Sequence, residues 1–151
     1  MAKIKTYVIF IGRKFPSFHP RKGMETNFLS MIQKGEKTLT IRDNFDTWFN
    51  RIKEVNEGKA VISLRYWLDR PFHSNPQEVR RITDKDGAGC HKFQLVGSQI
   101  WVDELPMLDH LQINQLLQRD GLNYKDFMAW HTAGKAPVEP KALIYFNSFR
   151  F

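Results

Sequence analysis

The stretch GEKTLTIRD, residues 35 to 43, decides how this chain is read. Gly35 supplies the left-handed residue that commonly closes a helix. After it, Leu39 and Ile41 alternate with Thr38, Thr40 and Arg42, the period of a strand with one face turned to a core. Upstream, Met24, Phe28, Met31 and Ile32 recur at helical spacing, so a helix is expected to end at Gly35. Downstream, Phe45, Trp48, Phe49 and Ile52 share a helical face, with Asn44 as N-cap and Gly58 beyond the end.

Outside this unit, residues 3–11 (KIKTYVIFI) and 60–67 (AVISLRYW) are rich in β-branched and aromatic types and read as strands. QEVRRIT, HKFQLV, SQIWVDEL and ALIYFNSF add further strands. PFHSNP, Asp86-Gly87 and Gly97-Ser98 separate them, and TAGKAPVEP is a linker loop. Leu111, Leu116 and Leu117 mark a helix over 111–120 ended by Gly121, and NYKDFMAWH starts another, capped by Asn123 with Asp126 three residues on. About half a dozen strands, helices grouped in two places and no regular βαβ alternation predict an α+β domain built on a small β-barrel or strongly curved sheet.

At 151 residues the chain fits one domain with a real core, and 42% apolar against 26% charged residues argues against disorder. The excess of 23 Lys and Arg over 16 Asp and Glu, a charge of +7, favours an anionic partner such as nucleic acid. One cysteine, Cys90, allows no internal disulfide, and His91 beside it lacks the spaced partners of a zinc site, so neither metal nor cofactor is expected. The apolar stretch Tyr7 to Ile11 is too short for a signal peptide or a membrane span. A reducing cytoplasm is the expected location.

Within the quoted strand, Thr38, Thr40 and Arg42 are expected to share a polar face, and Lys37 sits at the bend where its stem can curl over it. A threonine hydroxyl needs a base to become a nucleophile, and a lysine serves once burial or another cation lowers its pKa. Arg42 supplies that cation and a rigid fork for a developing oxyanion. The plainer alternative is an edge strand guarded by Lys and Arg. Asp120 occupies the C-terminal end of its helix, where the dipole disfavours a negative charge, which suits a group that passes protons; an Asp before a glycine is also a common turn element. The loop GRKFPSFHPRKG places Arg13, Lys14, Arg21 and Lys22 among Phe15, Phe18 and His19 with no acid, a pairing of cations and rings suited to single-stranded nucleic acid, or a solvated loop with its phenylalanines pinned on the core.

The spacing Gly35-x-Lys37-x-x-Thr40-x-Arg42 resembles the signature of the ASCH domains, a branch of the PUA-like fold, whose usual pattern is Gly-x-Lys-x-x-Glu-x-Arg. Thr40 departs from that glutamate, and KTLTIRD is similar to the version in the small bacterial N4-acetylcytidine amidohydrolases. The resemblance covers residues 24–68 and, more loosely, 110–149. An N-terminal extension, 1–23, and an insertion, 69–100, have no counterpart. It implies a β-barrel with helices leaning over a cleft, Lys37 as activating base, Thr40 as nucleophile and Asp120 as the acid, in the place where the amidohydrolases carry glutamate. The implied substrate is a modified nucleoside, free or in RNA. Read from the residues themselves, Arg42 and Thr38 on the strand and Arg13, Lys14, Phe15 and Arg21 in the basic aromatic loop are the expected substrate contacts. A module that binds RNA or a modified nucleotide without chemistry is the rival. A ribonuclease is a third reading, although the five histidines form no acid and base pair.

Overall fold

The computed structural model describes residues 3–68, 75–132 and 140–151. Among them eight strands form two sheets, flanked by four helices, a mixed α+β arrangement. The smaller sheet has the order β1 (Lys5–Phe10), β3 (Ala60–Tyr66), β4 (Gln77–Ile82), with β1 and β3 parallel. The larger is antiparallel, in the order β2 (Leu39–Arg42), β8 (Lys141–Tyr145), β5 (Gly89–Val96), β6 (Gln99–Val102), β7 (Leu105–Pro106). Among the described residues these remain two sheets, with no pairing that joins them into one closed barrel.

Between β1 and β3 the chain makes α1 (Phe28–Gln33), β2 and α2 (Phe45–Asn56), the crossover a parallel pair requires. The helix α1 is shorter than its apolar spacing predicted. Met24 is half exposed in the turn before it, Glu25 bridges to Lys14, and the Thr26 hydroxyl accepts from the Phe28 N–H at 3.2 Å. Asn44 adopts a left-handed conformation at the head of α2 but makes no side-chain cap, so its tolerance of positive φ, and not its amide, explains its presence. The α2 helix lays Trp48, Ile52 and Val55 over β5, β8 and β3, while Phe49 stays 49% exposed on the rim of the predicted stripe. Each fully buried aliphatic side chain of this kind contributes about 1.5–3 kcal/mol.

Residues 77–102 are integral to the sheets, β4 pairing β3 and β5 standing between β8 and β6, whatever their relation to a family core. Residues 69–74, which hold most of the PFHSNP break, and 133–139, most of the TAGKAPVEP loop, lie outside the described residues. The predicted strand 98–105 divides at Asp103 and Glu104, both at positive φ, and the predicted strand 142–149 ends at Tyr145. Two further helices, α3 (His110–Asp120) and α4 (Tyr124–Thr132), pack next to β2 and the β1 loop. The Asn123 cap is realised, its side-chain oxygen accepting from the Asp126 N–H at 2.8 Å.

Candidate functional site

Two glycine turns bring the polar residues together. Gly35, at φ 76°, reverses the chain after α1 so that the Lys37 N–H returns to the Met31 carbonyl at 3.1 Å and the side chain runs inward beneath the Phe28 ring, 4.4 Å from its centre. Gly121, at φ 85°, ends α3 and sits so tightly that a Cβ there would lie 2.7 Å from Met31 Sδ. It leaves Asp120 buried at the helix end. Lys37 Nζ then donates to Asp120 Oδ1 at 2.9 Å, to the Asp120 carbonyl at 2.7 Å and to the Leu39 carbonyl at 3.0 Å.

Beside this pair lies a cavity of about 250 Å³, lined on its polar side by Lys37, Thr40, Arg42, Asp120, Lys14 and His131, and on its apolar side by Phe10, Ile11, Trp67, Leu122 and Trp130. That volume lies just below the roughly 300–1,000 Å³ usual for small-molecule pockets. The Phe10 and Trp67 rings stack in parallel, 5.0 Å apart and 3° from coplanar, as one flat wall.

Thr40 is 6% exposed, and its hydroxyl makes no hydrogen bond among the described residues. The side-chain polar atoms there that are both fully occluded and unpartnered are Arg42 Nε and Trp101 Nε1. The Thr40 oxygen therefore keeps a free face, which the cavity receives. Arg42 donates from Nη2 to the Phe10 carbonyl at 2.6 Å, which fixes the guanidinium, and Nη1 makes no hydrogen bond among the described residues.

Burial pulls the Lys37 pKa down from 10.5; Asp120 opposes the fall, and the Arg42 charge adds to it. Burial also lowers the Arg42 pKa from its ordinary value, though a guanidinium stays charged at any physiological pH. No hydrogen bond joins Lys37 Nζ to Thr40 Oγ1, because the ammonium spends all three donors on Asp120 and two carbonyls.

The structure thus gathers Lys37, Thr40, Arg42, Asp120 and Lys14 around one cavity and leaves four expected contacts elsewhere. Thr38 faces a different hollow, where its hydroxyl accepts from Arg119 at 3.1 Å while the Arg119 guanidinium lies 3.6 Å from the Phe149 ring centre. The shared face of Thr38 and Thr40 is broken because β2 begins only at Leu39. Arg13 donates to the Trp67 and Leu68 carbonyls. Phe15 is 5% exposed, packed between His19 and Trp130, and Arg21 stacks on it while pairing with Asp126. The basic aromatic loop is therefore fastened to α4, and Phe18 alone of its phenylalanines is exposed.

Sequence reasoning missed His131, Trp130, Phe10 and Trp67. The two strand-end aromatics meet because β1 and β3 pair in parallel with Phe10 opposite Arg65, two residues before Trp67, a register the sequence does not announce. His131 carried no signal either. No group of three or more His, Cys, Asp or Glu side chains that could hold a metal occurs among the described residues, and no described helix is long and apolar enough to cross a membrane. Set against family models, curated proteins and solved structures, the chain matches none of them.

Proposed function

We propose that this protein is an amidohydrolase of the ASCH type, a PUA-like barrel domain of the cytoplasm, that removes the acyl group from an N4-acylcytidine-type nucleoside. The observation that carries this reading is the buried Lys37–Asp120 pair beside an unpartnered Thr40 hydroxyl, with Arg42 on the same cavity wall.

The pair has no net charge either as ammonium and carboxylate or as amine and carboxylic acid, so a proton can pass over 2.9 Å without charging the site. In the second form the amine gives up a carbonyl partner and takes the Thr40 proton as Oγ1 attacks the acyl carbon. Arg42 holds the oxyanion, and the Asp120 acid protonates N4 as the carbon–nitrogen bond breaks, releasing cytidine. Water then attacks the acyl-threonine ester, giving a proton to the Asp120 carboxylate. The Lys37 ammonium returns its proton to the departing Thr40 oxygen, which leaves a free carboxylic acid and the starting pair. The test is cytidine release from N4-acetylcytidine by wild type, Thr40→Ala and Lys37→Ala. Turnover by wild type and loss in both variants is expected, and an inactive wild type or two fully active variants would remove the reading.

One observation favours a second reading, a binding module for RNA or a modified nucleotide: the three donors of Lys37 are already satisfied, as in a structural lysine. That reading expects affinity for RNA that falls steeply with salt, as bound phosphates release counterions. Affinity that salt leaves unchanged would count against it.

A further inference from the structure

His131 closes α4 and lines the same cavity as Thr40, yet the mechanism above gives it nothing to do. Its ring is clamped by Phe127, 4.7 Å between centres, and by Phe93 at 5.7 Å, so its orientation is set by packing. On one side, Nδ1 lies 3.5 Å from Lys141 Nζ. An ammonium offers three donors and no acceptor, so Nδ1 must present its lone pair, and a neutral ring then carries its proton on Nε2.

Nε2 has no partner among the described residues and is not one of their occluded, unpartnered atoms, so it keeps accessible surface, which the cavity provides. Burial lowers the His131 pKa to about 4; Asp120 opposes this, while Lys141, Lys37 and Arg42 reinforce it, and the ring is neutral at pH 7.

We propose that His131 is a further substrate-contacting residue, its Nε2–H donating to the ring carbonyl oxygen of the cytosine. The proposal rests on the amidohydrolase reading and deepens it, because it says which part of the base is recognised. Chemistry divides the two donors. Arg42, on the nucleophile's own strand, carries a full charge suited to the acyl oxygen that becomes an oxyanion, whereas a neutral imidazole suits an oxygen that stays uncharged throughout.

The experiment compares wild type, His131→Phe, which keeps a ring in the packing, and His131→Gln, which restores an N–H near Nε2. Thermal unfolding verifies the fold of each. With N4-acetylcytidine the Phe variant should show KM raised roughly 10- to 100-fold with kcat little changed, because ground state and transition state lose the same bond, and Gln should recover much of it. An unchanged KM in a folded Phe variant, or a loss that Gln does not restore, overturns the proposal.

Should the Phe variant not fold, nitrogen-15 NMR of the wild type decides. The Nε2-protonated tautomer, with an Nε2–H resonance that moves as cytidine is added, is expected. An Nδ1-protonated ring, or one unmoved by saturating cytidine, overturns the proposal. Turnover with an unmoved His131 sinks this inference alone, whereas a wild type that neither binds nor cleaves N4-acetylcytidine sinks the amidohydrolase reading and this one with it.

Discussion

Replacing Asp120 by asparagine removes a negative charge at nearly constant shape, and the amide oxygen can still accept from Lys37. The side chains of Lys37 and Asp120 are 2% and 6% exposed and 2.9 Å apart. They therefore belong with buried pairs, where loss of one partner costs about 3–5 kcal/mol, and not with exposed pairs worth roughly 0–1 kcal/mol. Burial lowers the Lys37 pKa and Asp120 holds it up, so the variant's lysine falls further below 10.5. A folded lysine with a depressed pKa binds fewer protons than the unfolded chain, so this part of stability is missing at low pH. It is regained as pH rises from the folded pKa toward 10.5.

Denaturant unfolding of wild type, Asp120→Asn, Lys37→Met and the double variant measures this. At about pH 7 the Asn variant should lose about 3–5 kcal/mol, the gap should narrow toward about pH 10, and the double variant should be destabilised by less than the two single losses together. A loss below about 1 kcal/mol with no pH trend would refute the reasoning.

Other consequences follow from the same geometry. Because the working pair keeps one proton between Lys37 and Asp120, kcat/KM should fall as pH rises through the Lys37 pKa, along a limb whose midpoint lies below 10.5, and a pH–rate profile of the wild type checks it. For His131, the gap between 6.5 and about 4 means the unfolded chain takes up a proton first as pH falls, so stability declines across that window by about 3 kcal/mol, at roughly 1.4 kcal/mol per pH unit; His131→Phe should flatten an acid-titrated unfolding series. Gly121→Ala meets both a positive φ and the Met31 sulfur and should cost about 1–3 kcal/mol by thermal unfolding, with Lys37 and Asp120 displaced in proportion to lost activity. Cys90, buried and with its thiol pushed up to about 12 by burial, should react with a thiol reagent only as the protein unfolds.

Local chemistry carried far in this chain, and non-local chemistry did not. Gly35 stopped its helix where the sequence said, because a left-handed residue there answers to the backbone alone. The short alternation of residues 39–42 was likewise readable as a strand, its pairing with β8 supplying only the partner. By contrast, whether Arg21 is a free cation depends on Asp126, a residue 105 positions away, and the fate of Thr38 depends on Arg119, 81 away. A basic loop with no acid of its own thus read as a nucleic-acid contact while its acid waited on α4. Phe15 and Phe18 look alike in sequence, and only the Trp130 and His19 rings decide that one is buried. Asp120 was visible as a charge at the wrong end of a helix, and its partner is the lysine at the first bend. His131 had no periodic or dipolar signature, since its placement comes from the packing of α4 against β5.

The central claim is that Thr40 forms the bond to the acyl carbon, and the most direct measurement is kcat/KM for N4-acetylcytidine with wild type, Thr40→Ala and Thr40→Val. The valine keeps the branched shape of the strand residue and lacks only the oxygen. Both variants should retain the fold and fall by roughly a thousandfold or more, the scale seen when a nucleophile is removed. A valine variant within about tenfold of wild type would contradict the account, since the hydroxyl would then not be the attacking group.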